Sequence, residues 1–294
     1  MKTRIFEGSG VAIVTPFRAD GSVDYDSFAH LIDWQIAQGT DCIVACGTTG
    51  EASTMPDEEH LEVVRFAAEY TAHRVPVLAG AGSNDTHHGI ALASRMSEFD
   101  IDGLLLVTPY YNKTTQKGLY EHFSATAKAV DVPIVLYNVP SRTGLNMLPE
   151  TVARLAADHE NIVGVKECVF DQMATARGLI GDDFAIYSGE DGLAVPAMSV
   201  GGTGVISVLA NIAPADVHQM MRFCLDGDFK SAAAIQIRAL PLIKALFAET
   251  SPIPVKYAMN RLGMEAGICR LPLTSIGEEA AKKLDQTMEA YGLI

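Results

Sequence analysis

The chain has 294 residues, 48% of them hydrophobic, enough to bury one large core. Its 22 basic and 36 acidic residues give a formal charge of −14, which repels phosphate backbones and anionic lipid and argues against nucleic acid and membrane as partners. A small anionic substrate stays compatible with that charge, because one local arginine overrides a distant field at contact distance.

At the N-terminus, Lys2 and Arg4 precede an apolar stretch that Glu7 interrupts, and no small-residue cleavage site follows. Export is therefore not encoded, and the expected compartment is the cytoplasm. The first strand signal is the run 10–14. Asp24 then caps a helix whose apolar face runs Phe28, Leu31, Ile32 and Ile36 and stops at Gly39. The second run, 42–46, opens into Gly47-Thr-Thr-Gly-Glu51. Its glycines let backbone N–H groups converge on an anion while threonine hydroxyls add donors; a tight turn without a ligand is the alternative. Asp57 precedes a second helix with Leu61, Val64 and Ala68 on one face, and runs 75–79 and 103–107 follow. The latter ends in Thr108-Pro-Tyr-Tyr-Asn112, which puts two phenols at a strand end.

The fifth run, 133–137, continues as Tyr137-Asn-Val-Pro-Ser-Arg-Thr-Gly144, placing a phenol at the rim and a guanidinium just beyond it. Arg142 offers a rigid fork suited to a carboxylate, with a surface salt bridge as the alternative. Leu148-Pro149-Glu150 sets proline where a helix begins. The sixth run, 162–166, closes on Lys166. The seventh, 184–187, leads into Ser188-Gly-Glu-Asp191, and Gly201-Gly-Thr-Gly204 leads into the eighth, 204–208. Residues 192–215 carry no charged side chain and are long enough to cross a bilayer. Pro196, Gly201, Gly202, Gly204, Asn211 and Pro214 instead divide them into a short helix, a glycine turn and a buried strand.

Continuous apolar runs separated by amphipathic segments predict an α/β fold, a (β/α)8 TIM barrel with a C-terminal α-helical extension. An open doubly wound sheet is the alternative, but no GxGxxG turn follows the first strand. Beyond residue 214 the pattern is helical apart from the turn Ser251-Pro-Ile-Pro-Val-Lys256. The expected domains are a catalytic barrel over 1–225 and a helical bundle over 226–294, joined without a flexible linker. Five cysteines, at 42, 46, 168, 224 and 269, form no CxxC pair and read as buried thiols of a reducing compartment. The histidines form no HExxH pattern, and no metal or cofactor is expected.

Lys166 is the most informative residue. In an α/β barrel a strand's C-terminal end faces the mouth where catalytic groups gather. An amine there can be a Schiff-base nucleophile, the alternative being a lysine that leaves the sheet for solvent. An ordinary lysine, with a pKa of about 10.4, is almost wholly protonated at neutral pH; desolvation lowers that value and frees the amine. Tyr137 is a poor base by itself but can pass protons among hydroxyl neighbours. The glycine-rich corner 201–204 also fits phosphate, which keeps a phosphosugar aldolase as a competing reading.

The motifs Gly47-Thr-Thr-Gly-Glu51, Thr108-Pro-Tyr-Tyr-Asn112, Tyr137-Asn-Val-Pro-Ser-Arg-Thr-Gly144, Gly164-Val-Lys-Glu167, Ser188-Gly-Glu-Asp191, Gly204-Val-Ile-Ser207 and Pro252-Ile-Pro-Val-Lys256 occur in order. With them the chain resembles the dihydrodipicolinate synthase/N-acetylneuraminate lyase family over almost its whole length. The resemblance implies that Lys166 forms an imine with the keto carbon of pyruvate, whose carboxylate Thr48 and Thr49 hold. The derived enamine attacks the aldehyde of L-aspartate 4-semialdehyde, and cyclisation releases the lysine, a step of lysine and diaminopimelate biosynthesis. The resemblance further implies that Tyr137 carries protons, linked to Thr49 and to Tyr111 from a neighbouring subunit. Arg142 anchors the semialdehyde carboxylate, and Gly189 and Ile206 contribute backbone carbonyls. The implied assembly is a homotetramer, a dimer of tight dimers.

The lyase branch, which cleaves sialic acid, reads Gly-Ser-Thr-Gly-Glu and lacks the arginine, so Thr48 and Arg142 favour the synthase branch. A non-catalytic barrel that senses a keto acid is disfavoured by the retention of Lys166, Tyr137, Thr49 and Tyr111. Lysine-inhibited members build an effector cleft on positions that here are Ala52, Ser53, Asp57, His60, Asn84, His88 and Tyr110. Asp57 and His88 stand where those members have histidine and glutamate, which implies weak or absent feedback inhibition by lysine.

Overall fold

The computed structural model describes Lys2 and residues 4–294. Eight strands are β1 (Gly8–Ala12), β2 (Cys42–Ala45), β3 (Val77–Gly80), β4 (Gly103–Val107), β5 (Ile134–Asn138), β6 (Ile162–Glu167), β7 (Ala185–Ser188) and β8 (Gly204–Ser207). They form a closed barrel in sequence order, and every pair is parallel, β8 returning to β1 through Gly8↔Gly204. The expected (β/α)8 barrel is the observed fold. Each strand lies within two residues of its apolar run. The largest shift is at β1, whose ladder ends at Ala12 while Ile13 and Val14 remain buried in the following loop. Hydrophobicity there marks burial beyond the last ladder bond.

Alternate residues of the strands fill the barrel. Phe6, Val44, Leu78, Leu105, Val135, Val163, Tyr187 and Ile206 share one internal cluster. Phe6 stacks on Tyr187 with centroids 4.3 Å apart, and the Tyr187 hydroxyl donates to the Phe6 carbonyl at 2.8 Å. The interior is thus packed at the strand N-terminal end, and the opening lies at the other. At the β1–β8 seam a Cβ on Gly204 would fall 2.1 Å from the Gly8 carbonyl oxygen, so only glycine lets these strands meet.

The crossovers are α1 (Tyr25–Ala37), α2 (Asp57–Thr71), α3 (Thr86–Met96), α4 (Gln116–Ala129), a four-residue α5 (Pro140–Thr143), α6 (Pro149–Asp158), α7 (Phe170–Ile180) and α8 (Ala194–Ser199). The Asp24 carboxylate accepts from the Ser27 N–H, as a cap for α1 requires. Asp57 does not precede α2 but begins it: Pro56 holds the cap position, and Asp57, Glu58 and Glu59 face the positive end of the helix dipole. Residues 192–215 divide as expected, into α8, a glycine turn and β8. Among the described residues no helix is long and apolar enough to cross a membrane.

After β8 come α9 (Pro214–Leu225), α10 (Phe229–Leu246), α11 (Ile253–Arg261) and α12 (Glu278–Tyr291). α9 packs on β1, α10 on α8 and α9, and α12 on α10 and α11. The segment 251–256 is not wholly a turn. Pro254 occupies the first turn of α11, where its missing N–H costs nothing, so Val255 and Lys256 are helical. All five cysteines are free; Cys42, Cys46 and Cys224 are buried, whereas Cys168 and Cys269 are half-buried.

Candidate active site

Parallel pairing sets the first element of the site. Tyr137 at the end of β5 pairs with Lys166 on β6, which in turn pairs with Tyr187 on β7. The Lys166 side chain points into the mouth, 7% exposed, its Nζ 4.3 Å from the centroid of the Tyr137 ring. Burial pulls its pKa below the ordinary lysine value, and the acidic groups of Cys168, Asp191 and Glu190 only oppose that shift. The same burial pushes the Tyr137 phenol well above its ordinary value, against the influence of Arg142 and the Thr48 hydroxyl. At neutral pH the pair therefore comprises a phenol that keeps its proton and an amine that gives its proton up more readily.

The turn after β2 forms the second element. Gly50 N–H donates to the Gly47 carbonyl and Glu51 N–H to the Thr48 carbonyl, each at 3.1 Å, while the Thr15 hydroxyl holds the Gly50 carbonyl at 2.8 Å. Thr49 is buried and Thr48 exposed. Both line a cavity of about 260 Å³ together with Tyr137, Arg142, Lys166 and Gly189. Gly189 has to be glycine, since an added Cβ would lie 2.3 Å from Cys168 Sγ and 3.2 Å from Lys166 Cε. Arg142 reaches the cavity from α5, a short helix that Pro140 starts and Gly144 ends in left-handed backbone.

The Ile206 side chain is packed inside the barrel, 1% exposed, and the residue pairs with Gly10. Thr48 and Thr49 both line the cavity beside Tyr137, and the Thr48 hydroxyl acts to lower the phenol's pKa. Tyr111 is 90% exposed with φ of 71°, so it points away from its own barrel.

The positions expected to form an effector cleft do converge. Ala52, Ser53, Asp57, His60, His88 and Tyr110 line a second cavity of about 400 Å³, which shares Thr48, Tyr137 and Arg142 with the first. Asn84 stands outside that lining and donates to the Tyr110 carbonyl at 3.1 Å. His88 Nε2 lies 3.0 Å from both Asp57 oxygens, so the acid of this cleft is already paired with His88.

Sequence reasoning missed part of the wall. Glu190, Phe247, Glu249, Thr250 and Ser251 also line the smaller cavity, and the buried Ser251 hydroxyl has no partner among the described residues. Four of them come from the link between α10 and α11, beside the proline motif whose purpose the sequence left unassigned. Among the described residues no cluster of three or more His, Cys, Asp or Glu is placed to hold a metal ion.

The profile of the Dihydrodipicolinate synthetase family matches residues 5–291. The 4-hydroxy-tetrahydrodipicolinate synthase of Acetivibrio thermocellus is 54% identical over 294 residues, covering 100% of both chains. The crystal structure of dihydrodipicolinate synthase from Aquifex aeolicus is 44% identical and superposes with a TM-score of 0.96 over 98% of this chain and 99% of that one. The chloride-inhibited dihydrodipicolinate synthase of Acinetobacter baumannii, complexed with pyruvate, is 42% identical, with a TM-score of 0.96 over 99% of this chain and 100% of the other. Likeness of this extent, end to end in sequence and in backbone, places the chain in the dihydrodipicolinate synthetase family.

Proposed function

We propose that the chain is a 4-hydroxy-tetrahydrodipicolinate synthase, a Schiff-base lyase that condenses pyruvate with L-aspartate 4-semialdehyde. Lys166 carries this reading: a buried amine without an ionic partner among the described residues, at the C-terminal end of a barrel strand, between an anion-binding turn and an arginine. The names of its full-length relatives and a family neighbour complexed with pyruvate support it.

The pyruvate carboxylate takes hydrogen bonds from Thr48 and Thr49, which holds C2 against Lys166 Nζ. The amine lone pair attacks C2, Tyr137 gives a proton to the departing hydroxyl, and water leaves to form the imine. The tyrosinate takes a proton back from C3, which yields the enamine. C3 then attacks the aldehyde carbon while Arg142 grips the semialdehyde carboxylate and Tyr137 protonates the new alkoxide. The substrate amine finally attacks C2, the ring closes, a proton released from that amine returns to the Tyr137 phenolate, and Lys166 leaves as the free amine. Carbonyls of Gly189 and Ile206 orient the lysine and bound pyruvate. The chemistry is complete with the lysine's own nitrogen.

Tyr111 enters the site of a neighbouring subunit, for which its exposure and left-handed backbone suit it, and the assembly is a homotetramer of two tight dimers. The enzyme works in the cytoplasm, in lysine and diaminopimelate biosynthesis. Its catalytic barrel spans 1–225 and its helical bundle 226–294, a division supported by the break between α9 and α10. Turnover of pyruvate with L-aspartate 4-semialdehyde, coupled to the NADPH-dependent reductase that consumes the product, tests the reading in wild type and Lys166→Ala. Activity in the first and none in the second is expected; a folded, inactive wild type moves the search to other aldehydes and to sialic acid.

A further inference from the structure

We infer that Glu51 and Lys256 are positioning residues for the turn that holds the pyruvate carboxylate, which makes the C-terminal helices part of the catalytic apparatus. The inference rests on the Schiff-base reading above. Glu51 is the last residue of the turn and Lys256 lies in α11. Their side chains are 0% and 2% exposed, and Lys256 Nζ meets Glu51 Oε1 at 2.6 Å. The other Glu51 oxygen accepts from the Arg270 N–H at 2.9 Å, and Lys256 also donates to the Ile268 carbonyl at 2.7 Å. The carboxylate is thus gripped by two separate C-terminal segments.

The turn needs such a grip. Cys46 and Glu51, at its two ends, have φ of 52° and 57°, a left-handed conformation that residues with a Cβ hold only where the surroundings fix them. Stability alone does not explain the pair, because an apolar pair of equal volume stabilises a core as well or better. A buried ion pair flanked by two hydrogen bonds, one on each partner, does specify direction, and here it directs the residue that ends Thr48-Thr49-Gly50-Glu51. Glu249, Thr250 and Ser251, which line the cavity, immediately precede the helix that carries Lys256.

Borohydride trapping of pyruvate on the full-length protein, read by intact-mass spectrometry over a pyruvate series, tests this in wild type and in the Glu51→Gln/Lys256→Met double variant, which removes both charges together. The expected double variant folds and still forms the adduct, but its half-trapping pyruvate concentration and its KM for pyruvate rise about tenfold. Its KM for the semialdehyde moves less than about twofold. A folded double variant with wild-type half-trapping and KM overturns the inference. If it does not fold, Glu51→Asp, which keeps the charge but shortens its reach, decides by the same readout, with a rise of about threefold expected and no rise overturning it. A wild type that traps no pyruvate defeats the Schiff-base reading itself; a trapping wild type beside an unaffected variant defeats only the positioning role.

Discussion

Lys166 and Lys256 are alike in burial and differ in company. Each ammonium lies 4.3 Å from an aromatic centroid, Tyr137 for one and Phe17 for the other, and desolvation lowers the pKa of each. Lys256 has a carboxylate at 2.6 Å that opposes this lowering and holds the ammonium, whereas Lys166 has no ion pair among the described residues. The acid nearest in effect to Lys166 after Cys168 is Asp191, one oxygen of which is already spent on the Val208 and Leu209 N–H groups. Burial therefore makes a lysine nucleophilic only where its positive charge is left unanswered.

Mutation separates the two most sharply. Lys166→Ala is expected to lose turnover by at least about 10³-fold and to lose the borohydride–pyruvate adduct, with little change in its urea midpoint because no partner is stranded. Lys256→Met has the opposite profile: it leaves Glu51 buried without its cation and is expected to lose about 3–5 kcal/mol of unfolding free energy, while the adduct still maps to Lys166. An adduct on the Lys256 peptide, or a stability loss confined to the Lys166 variant, breaks the comparison.

This contrast was only half legible in the sequence. Lys166 could be found because the run 162–166 is apolar on both faces, as a barrel strand must be, and the lysine ends it. Strand positions emerged for the same reason, although at β1 the ladder stops before the apolar run does, since Val14 passes its N–H to Asn211 Oδ1. Lys256 ends the proline motif of residues 252–256, yet no local pattern points from it to Glu51, because their meeting depends on how α11 packs back against the turn after β2. Phe247, Glu249, Thr250 and Ser251 were missed likewise: each reads as loop or helix end until that return brings it to Lys166. Periodicity reports which faces are buried and is silent on which distant faces meet.

Glu167 extends the comparison to an acid. It follows Lys166 on β6 but faces out of the barrel, 3% exposed, accepting from Asn138 Nδ2 at 2.9 and 3.1 Å, from the Val169 N–H at 2.8 Å and from Gln172 Nε2 at 3.2 Å. Burial without a cation pushes its pKa from 4.5 up to about 7 despite those donors. The folded state thus keeps a proton that the unfolded state has released, so stability falls as pH rises from about 4.5 to about 7. Glu167→Gln removes the titration. The wild type is expected to lose on the order of 3 kcal/mol relative to the variant across that window, measured by urea unfolding at several pH values. Parallel curves would show that the donors, rather than burial, set this carboxyl.

The smallest expected effect concerns a third ammonium, that of free lysine. By the rule drawn from Lys256, a cation is held where a carboxylate remains unanswered. In the 400 Å³ cleft the acid is Asp57, and both its oxygens already lie 3.0 Å from His88 Nε2. Lysine must displace that contact to gain its own, in a partly exposed setting where an ion pair contributes about 1 kcal/mol or less. A rate-versus-lysine titration is therefore expected to show less than about twofold inhibition at about 1 mM. His88→Ala frees Asp57 and is expected to lower the half-inhibiting concentration by up to about fivefold. Tight inhibition of the wild type, or a His88→Ala variant no more sensitive than its parent, would show that the cleft selects its ligand by shape instead of by an unpaired charge.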